Sequence, residues 1–477
     1  KPDGQTLKIE SGTEAYRFRE IANDAIATLQ KANYIAVNAG GSVRDELMSK
    51  VPKDYDIATS ALPEAVEKIF GDQGHRVITV GKQFGTIKVM IEGHTIEITT
   101  LRNDGNYTDG RRPDWITFAS SLSEDAARRD LTINSIFKDP ITNSYYDLFG
   151  GRADIASKKI RTVGDPEARF GEDYLRMMRV ARFASRYNDF TVDAATFAAI
   201  QKNVDGIDKV KFERIRDEVK GILATEKPSV GLQLLMDSGL MQKILPEMVL
   251  TAGPKGMQDP HWHPEGSTWT HTKMVVDNLA RAGNGSNFEL MFAGLLHDNA
   301  KPETQKIWPD GGISNKEHDR LGADKSRAIS ERFKLSRSES DSVFDIVKLH
   351  MAMHDVKKMR DSTLWKILKR DDINNLIEMQ DADSRGTLHP DNATFSHREF
   401  LLDKIEAMKN APVESQRLDA RPLVNGHVIM ELGIPATIIR KEIIENARLA
   451  QQEGVFTNVE GGKQWVRANY GQHLISR

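Results

Sequence analysis

The stretch VPKDYDIATS, residues 51–60, sets two acidic side chains, Asp54 and Asp56, one residue apart at what reads as the start of a strand. Alternate residues of a strand share a face, so both carboxylates point the same way, a few Å apart. Like charges held so close call for a cation between them. An isolated acidic pair is also the ordinary composition of a solvated turn before a strand, so the neighbouring residues must decide.

Upstream, YIAVNAGGSVRDELM (34–48) reads as strand, Gly-Gly turn and helix. Gly40 and Gly41 lack side chains, which lets backbone N–H groups approach an anion at the helix start. Ser42 reads as a cap, and Arg44, one turn in, as a charge-assisted phosphate ligand. Alone this is more readily a tight packing turn; beside the acidic pair it becomes a phosphate cradle whose phosphates are bridged by Mg²⁺ on Asp54 and Asp56. A two-metal site calls for a third carboxylate. Glu97 in HTIEITTLR (94–102) and Asp130 in EDAARRDLTIN (124–134) are both candidates, with an exposed strand residue and a cap as the plainer alternatives. Arg129 is placed to clamp a triphosphate.

At 477 residues the chain exceeds one compact core and should divide into several domains. It contains no cysteine, which excludes disulfides, thiolate zinc sites and cysteine nucleophiles, so any metal must be held by Asp, Glu and His. The formal net charge of -3 means that attraction to nucleic acid must come from local patches. No apolar run approaches the ~20 residues that span a bilayer, and the opening KPDGQTLKIE has no leader pattern; a cytoplasmic protein with no membrane contact is expected. Strand-like segments RVITVG, GTIKVMIEG and HTIEITTLR add to one sheet, and from about residue 170 helical periodicity dominates.

EDYLRMMRVAR (172–182) spaces Asp173, Arg176, Arg179 and Arg182 three residues apart, a stripe along one helix. Such a stripe is also an ordinary solvated face. Cytosine and adenine, however, both present an amino donor beside a ring-nitrogen acceptor, so a carboxylate and a guanidinium together select them. Uracil and guanine present the reverse order and leave buried groups unpaired, at ~1 to 3 kcal/mol each.

Taken in order, GGSVRDELMSKVPKDYDIATS, TTLRNDGNYTDGRRPDWITF, EDAARRDLTINSIF and FGEDYLRMMRVARFASR resemble the class II tRNA nucleotidyltransferases and their bacterial poly(A) polymerase relatives, within the DNA polymerase β superfamily. The resemblance runs from about residue 30 and fades near 250. It implies a multidomain α+β protein: a polymerase β-like nucleotidyltransferase head with a mixed sheet and helices, then a mostly α-helical neck, body, HD domain and tail. The divisions expected are 1–150 for the head, 151–250 for neck and body, 251–390 for the HD-type domain and 391–477 for the tail. In the family the EDxxR motif, here Asp173 and Arg176, is the amino-acid template, and Arg179 and Arg182 match positions that contact nucleotide phosphates or orient the template. The polar, Gly-rich RNDGNYTDGRRPDW resembles the flexible loop needed to switch from C to A addition, which argues against a CC-only enzyme.

Farther along, histidine and aspartate gather in five segments that supply His271, His297, Asp298, His318, His350, His354 and Asp381. They resemble the HD phosphohydrolases, whose H…HD…D pattern binds a divalent metal. His271, His297, Asp298 and Asp381 are the expected ligands of Ni²⁺, Mn²⁺ or Mg²⁺, and HDNAK (297–301) departs from the family's usual doublet context by Asn299. The plainer alternative is a helical scaffold whose histidines satisfy core hydrogen bonds.

The expected function is template-independent, Mg²⁺-dependent addition of C and A to the 3′ end of tRNA, from CTP and ATP, with release of pyrophosphate and no obligate protein partner. The alternatives are an A-adding or poly(A) variant, an HD hydrolase of RNA 3′ or cyclic phosphates, and a non-catalytic RNA-binding protein.

Overall fold

The computed structural model describes residues 10–104, 116–119, 121–410, 422–434 and 438–471. Helix α1 (Glu14–Lys31) starts where the Thr13 side chain accepts the Tyr16 N–H, and its buried Ile21, Ala22, Ala25, Ile26 and Leu29 recur at helical spacing, so one stripe packs inward. The sheet it covers has seven strands: β1 (Ala36–Ala39), β2 (Asp56–Thr59), β3 (Arg76–Ile78), β4 (Thr86–Ile91), β5 (His94–Thr100), β8 (Phe137–Asp139) and β9 (Ser144–Tyr146). Their order is β3-β4-β5-β2-β1-β8-β9. Only β2 and β5 run parallel, which makes the sheet mixed. A separate antiparallel pair, β6 (Arg102–Asp104) and β7 (Ile116–Phe118), flanks residues 105–115. The loop expected to switch between C and A falls in that stretch, outside the described residues.

Three short helices serve the sheet: α2 (Gly41–Leu47), α3 (Pro63–Asp72) and α4 (Leu122–Ala127). Beyond β9 the chain is helical: α5 (Gly151–Ala156), α6 (Pro166–Glu172), α7 (Leu175–Arg186), α8 (Ala194–Asn203) and α9 (Phe212–Leu223) lead into a helical array that continues past residue 400. The head buries its own core around Ile26, Ile57 and Ile98. A second apolar core runs without interruption from Leu131 to Leu401, straight across the division drawn at residue 250. The tail closes a separate cluster around Ile429, Ile443 and Val466. Among the described residues no helix is long and apolar enough to cross a membrane.

The three-residue stripe is interrupted. Helix α6 ends at Glu172, Asp173 is extended (φ −145°, ψ 103°), and α7 begins at Leu175. Asp173 therefore stands in the break between two helices, where its Oδ1 accepts the Leu175 N–H at 3.0 Å. Only Arg176, Arg179 and Arg182 share α7. The side chain of an aspartate competes for nearby backbone N–H groups, which is why it starts the helix rather than riding on it.

Candidate functional site

Head and neck enclose an open cleft of about 810 Å³. Nine cationic and five acidic side chains line it, so a chain of slightly negative net charge presents a locally basic cavity. Between Asp54 and Asp56, Tyr55 is buried (2% exposed) with its ring edge-on to Phe18 at 5.2 Å. Anchoring Tyr55 inward turns both flanking aspartates outward, into the cleft. The strand proper begins only at Asp56. Its parallel register sets Asp56 directly opposite Glu97, whose carboxylate also lies 3.2 Å from Lys88 Nζ.

Although its edge reaches solvent, Asp56 has a pKa raised to about 6. The largest cause is withdrawal from bulk water at the cleft floor; Glu97 and Asp54 add to it, while Arg129 and Lys88 oppose it. A carboxylate cluster that holds a proton so far above the ordinary range fits a hard divalent cation. Asp130, the other candidate third ligand, is committed elsewhere. Its Oδ2 accepts Arg179 Nε at 2.6 Å, and its Oδ1 accepts both Asn134 Nδ2 and the Leu131 N–H. Burial alone would raise its pKa, but Arg179 and these hydrogen bonds hold it below the usual carboxylate range.

The glycine turn differs in detail from expectation. Gly40, not Ser42, occupies the N-cap position of α2, and no side chain caps the helix. Ser42 Oγ instead donates to the Ala39 carbonyl at 3.3 Å. The Gly40 N–H is bonded to the Ile136 carbonyl, which leaves the cradle to the helix start at Gly41. Gly40 has φ +65°, and a Cβ there would lie 3.0 Å from Arg129 Nη1. Glycine is thus required for both the turn and the approach of that guanidinium. Arg129 donates through Nε and Nη2 to Asp125 Oδ2 and through Nη1 to the Asn134 carbonyl, and it stacks over Phe137. Arg44 lines the cleft but is buried and tied to Asp45 and Asn134. Asn134 therefore joins Arg44, Arg129 and Asp130 in one network.

At the far wall, Asp173 and Arg176 line the same cleft, and the Arg176 N–H donates to the Asp173 carbonyl at 3.0 Å. Asp173 receives Arg214 from α9, with Nη2 to Oδ2 at 2.8 Å and Nη1 to Oδ1 at 3.3 Å. Arg176 donates to Glu172 and to the carbonyls of Arg169 and Arg128. Arg179 faces the cleft, whereas Arg182 is not among its lining residues and lies 3.2 Å from Glu218. Asn134 and Arg214 went unread in the sequence: Asn134 closes the EDAARRDLTIN stretch but carries no charge to single it out, and Arg214 sits in no distinctive local pattern.

A second centre lies in the helical array. His271 (helix Thr268–Arg281), His297 and Asp298 (after helix Phe288–Leu296), His318 (helix His318–Arg332), His350 and His354 (helix Arg337–His354) converge with all but His354 essentially buried. Asp383 completes the set in place of Asp381. Its Oδ1 lies 2.8 Å from His271 Nε2, and its Oδ2 lies 2.8 Å from His354 Nε2. Asp381 instead accepts Arg385 Nε and Ser396 Oγ. Two residues along a helix rotate a side chain by about 200°, so only one of the two aspartates can face the cluster. His297 Nε2 and both Asp298 oxygens are buried without a hydrogen-bond partner. Burial would raise the pKa of Asp298, but His297 and Lys301 hold it well below the ordinary value. Orphaned inward-facing donor atoms of this kind fit a metal ion.

Three family descriptions match the chain: "Poly A polymerase head domain" over residues 35–161, "Probable RNA and SrmB- binding site of polymerase A" over 189–250, and "HD domain" over 268–386. The fold is that of the solved Bacillus stearothermophilus CCA-adding enzyme in complex with CTP, at TM-score 0.63 and 25% identity, covering 96% of this chain and 98% of that one. The Thermotoga maritima CCA-adding enzyme complexed with tRNA shares the fold at TM-score 0.57 and 18% identity, covering 95% of each chain. A nucleotidyltransferase head, a helical neck and an HD domain thus define the class.

The CCA-adding enzyme of Lactobacillus johnsonii is 41% identical over 433 residues, 91% of this chain and 92% of that protein. This chain belongs to the CCA-adding enzyme family. It spans about half the length of several other curated relatives it matches, among them the CCA-adding enzyme of Levilactobacillus brevis, 42% identical over 47% of this chain and 55% of that protein. The head and HD domains imply use of divalent metal, and side-chain groups suited to hold it are present in the HD domain.

Proposed function

We propose that the chain adds C and A nucleotides to the 3′ end of tRNA, with CTP and ATP as donors and pyrophosphate as product. The observation that carries this reading is one cleft that holds the Asp54 and Asp56 carboxylates at one wall and Asp173 with Arg176 at the other. Asp54, Asp56 and Glu97 would hold Mg²⁺, which supplies Lewis acidity toward the terminal ribose hydroxyl and the triphosphate. That hydroxyl oxygen attacks the α-phosphorus as the bond to the leaving pyrophosphate breaks. Arg129, fixed by Asp125 and Asn134, meets the triphosphate near Gly41. Asp173 accepts from the amino group of C or A, Arg176 donates to the ring nitrogen, and Arg214 keeps the carboxylate in place. Asp130 acts through Arg179, orienting it rather than binding metal. The work divides among a head (1–150), neck and body (151–250), HD domain (251–390) and tail (391–477) of a cytoplasmic protein that needs no protein partner.

The decisive experiment supplies tRNA ending at successive 3′ positions, with labelled CTP or ATP in Mg²⁺. Growth of the product to CCA is expected. Failure to extend any of these substrates sinks the reading, and A-only or extended A products replace it with the A-adding or poly(A) alternative.

The orphaned donors of the histidine cluster support a second activity, metal-dependent hydrolysis of 2′,3′-cyclic phosphates or phosphate monoesters at RNA ends. His271, His297, Asp298 and Asp383 would hold the ion, drawn from Ni²⁺, Mn²⁺ or Mg²⁺. Adenosine 2′,3′-cyclic phosphate offered with each metal tests it: turnover lost on His297→Ala supports the activity, and no turnover with any of them refutes it.

A further inference from the structure

Helix α9 carries two stripes of side chains that face opposite ways. Arg214 and Glu218, four residues apart, turn toward the base-selecting side: Arg214 holds Asp173 at both carboxylate oxygens, and Glu218 lies 3.2 Å from Arg182 and 3.9 Å from Arg179. Phe212, Arg216 and Lys220 also recur every four residues, but they are offset from the first stripe by two, about 200° around the helix. This second stripe points into the HD domain.

The HD domain meets it with one corner, the end of the helix His318–Arg332. Arg332 donates to both oxygens of Glu247, at 2.9 and 2.8 Å, and so ties the corner to the body. Phe333, 0% exposed, meets the Phe212 ring edge-on at 5.3 Å and packs on Phe292 at the same centroid distance. The Lys334 carbonyl accepts Arg216 Nη1 at 2.9 Å. Lys334 itself has φ +58°, a left-handed position that a residue with a side chain keeps only where its surroundings hold it. Farther along, Lys220 Nζ lies 5.5 Å from the Phe288 ring. Helix α9 is thus clamped between α7 and the HD domain, inside the one apolar core that runs from Leu131 to Leu401. A close-packed helix of 12 residues moves as one body, so the packing at Phe333 fixes where the Arg214 guanidinium arrives on the opposite side.

We propose that the HD domain positions the base-selecting carboxylate. Phe333, through Phe212, and the Lys334 carbonyl, through Arg216, set α9 and with it the grip of Arg214 on Asp173. Phe333 and Arg216 are therefore positioning residues for nucleotide selection, and neither lines the nucleotide cleft. The inference rests on the reading of Asp173 and Arg176 as the pair that selects C and A. It gives the HD domain a part in polymerisation that is separate from any chemistry at its histidines.

The test is competition between labelled CTP and UTP on tRNA lacking its 3′ terminus, with the full chain. Phe333→Leu weakens the buried contact with Phe212, and Arg216→Ala removes a partly buried tether without opening the core; circular dichroism reports on the fold of each. Both should lower the preference for CTP over UTP by roughly two- to thirtyfold, the range over which packing contacts tune a distant site. A scaffold role alone lowers kcat/KM for the two nucleotides in equal proportion and leaves their ratio at the parent value. Arg214→Ala combined with either variant should lose no more preference than Arg214→Ala alone, because all three act on one carboxylate. An unchanged ratio in Phe333→Leu and Arg216→Ala, with the ratio lost in Asp173→Ala, overturns the inference and leaves the template reading standing. An unchanged ratio in Asp173→Ala overturns both.

Discussion

Arg214 of α9 grips Asp173 at both carboxylate oxygens, 2.8 and 3.3 Å away, and so fixes the orientation of the acid that stands in the break between α6 and α7. An ion pair within the proposed template site does more than stabilise. It decides which lone pairs of the carboxylate remain for a base.

Arg214→Ala is accordingly expected to blunt discrimination without abolishing catalysis. Loss of one buried, charge-assisted contact is worth about 1–3 kcal/mol, so preference for CTP over UTP should fall roughly tenfold or more. Asp173→Ala should relax it further. Competition between labelled CTP and UTP on tRNA lacking its terminus measures this; unchanged preference in the Asp173 variant would remove the template argument.

The carboxylates at the cleft floor separate by role. Asp56→Ala should lower nucleotide incorporation by about a thousandfold or more, since several kcal/mol of charge stabilisation are involved, and should leave tRNA binding nearly intact. Glu97→Gln should raise the Mg²⁺ concentration needed for half-maximal rate. A Glu97 variant with a normal Mg²⁺ requirement would exclude it as a ligand.

Asp130→Asn acts differently, by leaving Arg179 partly buried without its nearest counter-charge, with only Glu218 remaining at 3.9 Å. Removing one member of such a pair costs about 3–5 kcal/mol. Thermal unfolding should therefore shift well below that of the parent, whereas Glu97→Gln, on a half-buried carboxylate paired with Lys88, should move it far less. Equal stability of the two variants would contradict the assignment.

Gly40→Ala combines a backbone conformation of φ +65° with a Cβ 3.0 Å from Arg129 Nη1. A cost of about 1–3 kcal/mol is expected from the backbone alone, with a lower apparent affinity for nucleoside triphosphate because Arg129 must shift. Calorimetry and the KM for CTP report the two effects separately; an unaltered KM would show that Arg129 does not meet the triphosphate.

Much of this molecule was legible in the chain because it depends on local order. Tyr55 between Asp54 and Asp56 alternates inward and outward as any strand does, and the spacing of Arg176 and Arg179 along α7 sets both at the cleft wall. The ordered motifs around them identify the family without any geometry. What escaped was long-range or turned on a single rotation. Asp381 and Asp383 are equally acidic in MQDADSRG, and only packing of their helix shows which one meets His271. Asp173 belonged to an apparent helical stripe until the break at Glu172 removed it.

The sequence by itself determined the residue types, their spacing and hence the class of chemistry: paired carboxylates without cysteine, an aspartate and an arginine of the kind that would select C and A, histidine with aspartate on successive helices. Only the tertiary structure decided partnership. It put Glu97 opposite Asp56 through strand register, gave Asp130 to Arg179 and Arg214 to Asp173, and split the oxygens of Asp298 between two sets of imidazoles. Such pairings join residues tens of positions apart, and it is the energy of burying whole elements together, not any local preference of the residues themselves, that brings them into contact.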